Sequence, residues 1–326
     1  MTKKYVLELL RENADRSVSG AELARRLGLS RSAVWKGIGQ LRAEGYQIES
    51  APRRGYRLSS RSDVLSAEGV KRYLRSKQIE VRVYRSLTST NTVLKDLANQ
   101  GAAEGLALIA GEQTAGRGRM GRSFYSPPDT GLYMSLLLRP ERSAAEATRL
   151  TACAAVAVAQ AIEELSGLDA QIKWVNDILI GGRKVCGILS EASVDCESGQ
   201  MRYVIVGVGI NIRPPAADFP EELRETAGAV FSQSRTPELR CRLAAAVLDR
   251  LMDLYRDPDG ESCFAEYKKR SVVLGQPVLL LSPGREIIPA TVLDLERDYS
   301  LRVRYEDGSL HRINAGELSL RPRTGD

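Results

Sequence analysis

The chain has 326 residues, too many for one small core, and its 43% hydrophobic and 27% charged residues are typical of a globular protein with two or three domains. It has no signal peptide and no apolar run of about 18 residues, so we expect a cytoplasmic protein without a membrane partner. The chain has one histidine, His311, which excludes Ser-His-Asp and Cys-His catalysis and a histidine-rich metal site. Its five cysteines have no C-x-x-C spacing, so neither a disulfide framework nor a zinc site is expected.

The excess positive charge is concentrated near the N-terminus. Residues 1–60 contain twelve Lys or Arg and six Asp or Glu, a net charge of +6, whereas the rest of the chain is neutral. A basic module joined to a neutral body is typical of a nucleic-acid contact, although basic segments also serve solubility alone.

The first sixty residues predict three helices and two short strands. Apolar residues recur at helical spacing in three segments, residues 3–12, 21–27 and 31–44. Ser30 is suited to cap the third helix, and Gly28 lies in the short turn before it, as in a helix-turn-helix. Alternating residues at 46–49 and 55–58 predict strands on either side of a basic hairpin tip, or wing.

Basic and hydroxyl side chains crowd the start of the third predicted helix and the wing. The candidates for DNA contacts are Arg31, Ser32, Trp35, Lys36, Arg53 and Arg54. Helix-turn-helix folds also dock proteins, but arginines at the wing tip favour DNA. We therefore assign residues 1–62 to a winged helix-turn-helix DNA-binding domain.

After a short polar linker at residues 59–63, helices and strands alternate. Helical patterns occur at residues 67–77, 93–99, 144–165, 237–255 and 263–270, and strand patterns at residues 81–84, 106–110, 131–138, 171–174, 184–191 and 203–212. This order predicts a mixed α/β central domain over residues 63–271.

From residue 272 onward the pattern changes to short alternating segments. They are residues 278–281, 287–295, 301–305, 310–313 and 318–320, with a hairpin turn at 306–308. We predict an SH3-like β-barrel over residues 272–326, which makes the chain a multidomain α+β protein.

Residues 116–122, GRGRMGR, combine glycines with arginines. Glycine backbone lets a ligand approach closely, and guanidinium groups bind carboxylates and phosphates. The segment also fits G-x-G-x-x-G, but a dinucleotide-binding loop opens directly into a helix, which Pro127 and Pro128 prevent here. Taken alone, such a loop is more often a solvated basic surface.

Two later segments also combine polar groups with apolar strands. Residues 173–177, KWVND, place a lysine and a carboxylate beside strands that are otherwise apolar. A lysine near the core needs an anionic partner, although solvated hairpin ends have the same composition. Gly207 and Gly209 interrupt an apolar strand, which predicts close approach of a ligand or of another backbone, or else a bulge.

Together these segments resemble, in order and spacing, the motifs of bacterial biotin–protein ligases. The resemblance rests on residues 89–91 (STN), Gln113, residues 116–122, 173–177, 183–184, 187–189 and 207–211. Because a winged helix-turn-helix precedes them, the chain is similar to the bifunctional biotin ligase and biotin operon repressor over essentially its whole length. Val175 and Phe124 depart from the proline and tryptophan usual in that family.

The resemblance implies a two-step reaction. The biotin carboxylate attacks the α-phosphate of ATP, giving biotinyl-5′-AMP and pyrophosphate, and a lysine of the biotin carboxyl carrier protein then attacks the mixed anhydride. Both first substrates are anions, which arginines, lysine and Mg²⁺ would neutralise and align. The catalytic roles fall on Arg119, Lys184 and Asp177, with Asp177 orienting the incoming lysine or accepting its proton.

The resemblance also implies two sets of binding residues. The biotin set is Ser89, Thr90, Asn91, Gln113, Gly116, Arg117, Gly118, Arg119, Lys184, Gly187 and Gly207; the adenylate set is Arg119, Arg122, Lys173, Trp174, Asn176 and Asn211. Bound adenylate would act as corepressor by ordering the glycine loop and building a homodimer, so that two wings contact a palindromic operator.

Two other functions stay open at this point. A transcription factor could sense biotin or another carboxylate without catalysis, although Arg119, Lys184 and Asp177 argue against it. A lipoate or octanoate ligase of related fold would not need Trp174 or the polar groups suited to the ureido ring.

Overall fold

A computed structural model describes residues 2–13, 16–51, 54–140, 146–195, 200–232, 236–257, 259–281, 287–314 and 317–320. The chain divides into two compact units, residues 1–73 with 233–242 and residues 74–232 with 243–326. The domain boundaries at residues 62 and 271 stay predictions. None of the helices in the described ranges combines the length and apolar character that a bilayer crossing requires.

The first unit contains the predicted helix-turn-helix and its wing. Its elements are α1 (Thr2–Glu12), α2 (Gly20–Leu27), α3 (Arg31–Ala43), β1 (Ile48–Ala51), β2 (Gly55–Leu58) and α4 (Ala67–Tyr73). Ser30 Oγ accepts a hydrogen bond from Ala33 N at 3.1 Å, and Gly28 ends α2 with a φ of 64°. The helix-turn-helix prediction is therefore confirmed, whereas the helix predicted over residues 67–77 ends at Tyr73.

A close backbone contact holds the wing hairpin against the helices. Val18 and Tyr56 exchange two backbone hydrogen bonds of 2.8 Å. A Cβ at Gly55, whose φ is 94°, would lie 2.3 Å from the Val18 carbonyl oxygen. Only glycine fits this position, so the start of β2 is determined by the approach of the strand-like segment before α2.

Two buried ion pairs bring residues 236–242 into the first unit. Arg11 of α1 pairs with Glu238, whose second carboxylate oxygen accepts the Tyr73 hydroxyl at 2.9 Å. Arg240 pairs with Asp63 at 3.3 Å, and its backbone N donates to the same carboxylate at 2.9 Å. Buried charges of this kind are tolerated because each has an opposite charge and hydrogen-bond partners.

The second unit is built on a seven-stranded sheet. Its strands are β3 (Glu80–Tyr84), β4 (Leu106–Ala110), β5 (Gly131–Leu138), β6 (Gln171–Lys173), β7 (Asp177–Ile180), β8 (Arg183–Val194) and β9 (Met201–Asn211), in the order β3-β4-β5-β9-β8-β7-β6. Among the strand pairs of this sheet in the described residues, β3 and β4 are parallel and the other pairs are antiparallel. The sequence pattern missed β7, which has four residues and pairs with both β6 and β8.

Helices pack against the apolar residues of this sheet. They are α5 (Thr90–Asn99), α6 (Glu146–Ser166) and α8 (Glu261–Arg270). A further helix, α7 (Leu239–Arg256), begins in the first unit and continues into the second. Leu94 of α5 packs with Leu108 and Ile205, and all three are fully buried. The middle of α6 is buried on every side, so the apolar character of its alanine-rich sequence is used for packing against the sheet and α8.

The C-terminal strands form a separate antiparallel sheet. They are β10 (Pro277–Leu281), β11 (Ile287–Leu295), β12 (Leu301–Tyr305), β13 (Leu310–Ile313) and β14 (Glu317–Leu320), in the order β13-β12-β11-β10-β14. The strands and the turn at residues 306–308 match the prediction. Within the described residues β13 and β14 do not pair, so the sheet is open and the predicted SH3-like barrel is not confirmed.

Candidate active site

A cavity of about 410 Å³ lies in the second unit, a size typical of small-molecule sites. It brings together all of the predicted biotin and adenylate residues except Gly116 and Asn211. The predicted residues on its wall are Ser89, Thr90, Asn91, Gln113, Arg117, Gly118, Arg119, Arg122, Lys173, Trp174, Asn176, Asp177, Lys184, Gly187 and Gly207. Segments far apart in the chain therefore meet at one place.

The start of α5 supplies an ordered polar wall. Gln113 Oε1 accepts from the Thr90 backbone N at 2.8 Å and from its hydroxyl at 3.1 Å. Gln113 Nε2 in turn donates to Ser126 Oγ at 3.1 Å, while Ser89 caps α5 by accepting from Thr92 N. These bonds fix the direction of each polar group before any ligand enters, which lowers the entropic cost of binding.

Asn91 is held by three partners at the base of this wall. Its Nδ2 donates to Leu189 O at 3.2 Å and to Glu191 Oε2 at 2.8 Å, and Ser135 Oγ lies 2.6 Å from its Oδ1. A Cβ at Gly207 would lie 2.2 Å from Asn91 Oδ1. The close approach expected at this glycine is therefore made by a side chain.

Gly209, two residues further along β9, is also closely approached by a side chain. A Cβ there would lie 2.6 Å from the ring of Phe124, which itself lines the cavity. The pairing of β5 with β9 continues without a register shift through both glycines. The alternative of a bulge is therefore wrong, and the glycines make room for Asn91 and Phe124.

The glycine loop folds back on itself. Phe124 N donates to Gly116 O at 3.0 Å, and Gly118 N donates to Arg122 O at 2.7 Å. A Cβ at Gly116 would lie 2.4 Å from the Phe124 carbonyl oxygen, which explains why Gly116 lies behind the cavity wall and supports the loop instead. Between these contacts Met120 has a φ of 54°.

Carboxylate and amide side chains hold basic side chains of the cavity. Arg117 Nη1 lies 3.2 Å from Glu191 Oε1, and Arg119 Nη1 donates to Asn176 Oδ1 at 3.1 Å. Lys184 Nζ lies 2.7 Å from Asp177 Oδ1. Each of these three cations at the cavity is therefore held by a side-chain oxygen.

Aromatic residues support the KWVND segment from behind. Trp174 is 4% exposed, and its indole Nε1 donates to Tyr299 O at 2.8 Å. The buried Tyr267 hydroxyl donates to Val175 O at 3.0 Å. Burial raises the pKa of Tyr267 above its ordinary value, so this hydroxyl is a neutral donor. The peptide between Trp174 and Val175 is cis.

Asn211 does not line the cavity, so its adenylate role stays a prediction. Its Nδ2 donates to Gly228 O at 3.0 Å. The backbone of Lys184 contacts the same segment, because Lys184 N donates to Thr226 O and Gly228 N donates to Lys184 O, each at 2.8 Å. Asn211 thus supports the segment that pairs with the start of β8.

Sequence reasoning missed several residues that support the site. Ser126 holds Gln113, Ser135 holds Thr90 and Asn91, and Glu191 holds Asn91 and Arg117. Ser135 had a signal in the sequence, since it is the one aliphatic hydroxyl in the buried strand GLYMSLLL. The other two lie in segments whose composition is ordinary.

The predicted DNA-contact residues that can be placed are on the surface of the first unit. Arg31, Ser32, Trp35 and Lys36 lie on α3, and the Trp35 side chain is 68% exposed. Arg54 is exposed beside β2, whereas Arg53 lies outside the described residues. A large apolar side chain among exposed basic groups is typical of a surface that contacts a partner.

The described residues include no group of three His, Cys, Asp or Glu side chains that could hold a metal ion. Asp177 is the only carboxylate among the lining residues of the cavity. Cys153, Cys186, Cys241 and Cys263 are buried thiols, and Cys196 lies outside the described part of the chain.

Comparison with known proteins adds independent information. The model of the biotin/lipoate A/B protein ligase family matches residues 83–211, and an HTH domain model matches residues 2–57. The chain is 42% identical over 257 residues to the bifunctional ligase/repressor BirA of Bacillus subtilis, covering 78% of each. It is 30% identical over 307 residues to BirA of Escherichia coli, covering 93% of this chain and 92% of that one.

A solved structure shows the same fold. The biotin protein ligase from Aquifex aeolicus, in complex with biotin and ATP, is 28% identical and superposes with a TM-score of 0.62. The match covers 74% of this chain and 98% of that one.

Proposed function

The chain belongs to the family of bifunctional ligase/repressors named BirA, and from this premise we propose how its cavity joins biotin to ATP. The resemblance noted in the sequence is thereby confirmed, and the chain is a biotin–protein ligase with a helix-turn-helix repressor domain. One observation carries the mechanism: the polar wall at the start of α5, the glycine loop (residues 116–122) and the Lys184–Asp177 pair border one cavity.

Biotin occupies the end of the cavity formed by the start of α5. The ureido ring carries two N–H donors and a carbonyl acceptor, and Ser89, Thr90 and Gln113 offer hydroxyl and amide groups of both kinds. A polar group buried without a partner costs about 1–3 kcal/mol, so this set favours biotin over an apolar fatty acid. Phe124 and the strand glycines shape the same end.

The first step is adenylate formation. A biotin carboxylate oxygen attacks the α-phosphorus of ATP, an O–P bond forms, and the bond to the β-phosphate breaks to release pyrophosphate. Arg119, Arg122 and Lys184 reduce the repulsion between the two anions and stabilise the charge that develops on the phosphate oxygens. Positioning and charge suffice for this step, so no histidine is needed.

The second step is transfer to the carrier protein. The amine of a lysine on the biotin carboxyl carrier protein attacks the carbonyl carbon of the mixed anhydride, and AMP leaves with the bonding electrons. Asp177 orients this amine and accepts its proton. Because Asp177 also holds Lys184, the two steps share one ion pair.

Asp177 is the one carboxylate among the residues that line the cavity, so it is the side chain that could contact a magnesium ion there. Mg²⁺ is usually held by substrate phosphates with one or two carboxylates, and here Mg²⁺ would enter as the counter-ion of the triphosphate.

We further propose that adenylate binding controls repression in the cytoplasm. The adenylate orders the glycine loop and promotes a homodimer, in which two copies of α3 and two wings contact a palindromic operator. In this proposal the C-terminal strands complete an SH3-like barrel. The exposed Arg31, Trp35 and Lys36 support the DNA part.

ATP–pyrophosphate exchange tests the ligase function directly. Exchange should require biotin, should not be supported by lipoate or octanoate, and should be followed by labelling of one lysine of a biotin carboxyl carrier protein. Biotin binding without exchange would indicate a non-catalytic sensor. Exchange supported by lipoate instead of biotin would place the chain among lipoate ligases.

A further inference from the structure

Glu191 of β8 uses its two carboxylate oxygens for two different residues of the cavity wall. Oε1 lies 3.2 Å from Arg117 Nη1 of the glycine loop, and Oε2 accepts from Asn91 Nδ2 at 2.8 Å. Glu191 itself is not part of the cavity lining. The carboxylate therefore connects a loop cation with a buried amide and lies behind both of them.

The two partners of Glu191 differ in how firmly they are held. Asn91 is 4% exposed and also contacts Leu189 and Ser135, so its position is determined by the sheet. The Arg117 side chain is 50% exposed and lies in the glycine loop. Glu191, whose side chain is 24% exposed, thus ties the more exposed cation to the fixed amide.

The geometry affects how Arg117 can meet a ligand. A guanidinium has five N–H donors in a rigid plane, so a carboxylate that holds one edge sets the direction of the others. Arg117 lines the cavity that biotin would occupy, so its remaining donors are available there. Without the carboxylate, the long arginine side chain would lose this direction, and the entropy of its rotamers would oppose binding.

We propose that Glu191 is a positioning residue for biotin binding, acting through Arg117 and Asn91. The inference rests on the proposed ligase function and adds a residue to it. Glu191 does not touch the reacting atoms, so its loss weakens biotin binding and leaves the chemical step unchanged.

Glu191→Gln separates the two contacts. The amide oxygen can still accept from Asn91, but the charge that holds Arg117 is lost. We expect the KM for biotin in pyrophosphate exchange to rise about fivefold, because the pair is half-exposed and partly screened, with kcat and the KM for ATP unchanged. Glu191→Asp, which keeps the charge, should restore most of the biotin affinity.

Glu163→Gln is a matched control. Glu163 of α6 pairs with Arg270 at 2.8 Å, its side chain is 30% exposed, and it does not line the cavity. Loss of that ion pair should lower thermal stability about as much as Glu191→Gln does, with no change in the KM for biotin. A similar rise in the KM for biotin in Glu163→Gln and Glu191→Gln would show that the loss of any ion pair weakens biotin binding. That result would overturn the proposal.

A double-mutant cycle provides the second test. In an Arg117→Ala background Glu191→Gln should raise the KM for biotin by less than about twofold, because the residue through which it acts is already gone. Full additivity would overturn the proposal, as would an unchanged KM in Glu191→Gln itself. Wild-type protein that shows no biotin-dependent exchange would instead contradict the proposed ligase function.

Discussion

The Lys184 ammonium lies 2.7 Å from the Asp177 carboxylate, although the two residues are not directly opposite each other on β8 and β7. A register shift between Ile178 and Leu179 places Lys184 across from Leu179 and Gly187 across from Asp177. Both charged side chains are partly exposed, at 38% and 21%. The irregular pairing therefore brings together the two groups to which we assign the first and second steps.

Lys184→Ala should mainly impair adenylate formation. Loss of one preorganised cation at the phosphate should slow biotin-dependent pyrophosphate exchange about 100-fold or more. Transfer from chemically prepared biotinyl-5′-AMP to the carrier protein should fall by a much smaller factor. Equal exchange in the variant and the wild type would refute the assignment of Lys184.

Asp177→Asn should slow transfer to the carrier protein more than it slows adenylate formation, the reverse of what we expect for Lys184→Ala. A neutral amide cannot accept the proton of the attacking amine, so single-turnover transfer from biotinyl-5′-AMP should slow about 100-fold. Because the amide would also hold Lys184 less firmly than the carboxylate does, exchange should fall by a smaller factor. The rate of transfer is measured from the labelling of the carrier protein over time. Transfer at the wild-type rate would contradict the proposed role of Asp177 as the proton acceptor.

Arg119→Gly should release the adenylate early. Arg119 donates to Asn176, and both line the cavity. In the proposed function this contact would hold the glycine loop over the adenylate. Asn176→Ala should show a weaker form of the same effect. Labelling of lysines on an unrelated protein, such as albumin, measures the released adenylate. Tight adenylate retention by Arg119→Gly would contradict the role of the loop.

Gly209→Ala should displace Phe124. The added methyl group would lie 2.6 Å from the Phe124 ring, so the ring must move or the strand must distort. We expect the KM for biotin to rise about tenfold. Adding Phe124→Leu to the Gly209→Ala variant should lower this KM again in part, because the smaller side chain makes room for the methyl group. Gly39→Ala is the control, since a Cβ at Gly39 meets nothing within 4 Å.

Alkaline pH should destabilise the first unit through Cys241. Burial raises the pKa of this thiol from about 9 to about 12, so it stays protonated in the fold while the unfolded chain ionises. The free energy of unfolding should therefore fall above pH 9 by about 1.4 kcal/mol per pH unit from this group. Urea unfolding at about pH 8 and about pH 10 gives the fall in the free energy of unfolding between the two pH values. This fall should be smaller in Cys241→Ala than in the wild type, and an identical fall would contradict the prediction.

Local patterns were enough to predict the helix-turn-helix and to single out the cations that line the cavity. Capping at Ser30 and the turn at Gly28 depend on residues close in sequence, and the structure has both. The GRGRMGR and KWVND segments predicted a site for anions, and both line the cavity. These signals are local, which is why the sequence carries them.

The remaining features depend on contacts between distant segments. Strand β7 has four residues and exists because β6 and β8 pair with it on either side. Glu191 is recognisable as part of the site only when Arg117 and Asn91 lie beside it. Composition likewise could not show that β13 and β14 do not pair in the described sheet.

The exposed start of α3 predicts a salt-dependent contact with operator DNA. Each of Arg31→Ala and Lys36→Ala should remove about one unit from the slope of log affinity against log salt, because each cation releases counterions from a phosphate. Arg72, exposed on α4, is the matched control, and Arg72→Ala should leave the slope unchanged.

Trp35→Ala should weaken operator binding without changing the salt slope, because an indole contributes apolar contact with bases and carries no charge. Of the two tryptophans in the chain, Trp35 is 68% exposed and Trp174 is 4% exposed, so intrinsic fluorescence should respond to DNA mainly through Trp35. The change should require biotin with ATP if adenylate acts as corepressor. Operator affinity that is indifferent to salt, or fluorescence that DNA leaves unchanged, would show that this surface of α3 does not contact DNA.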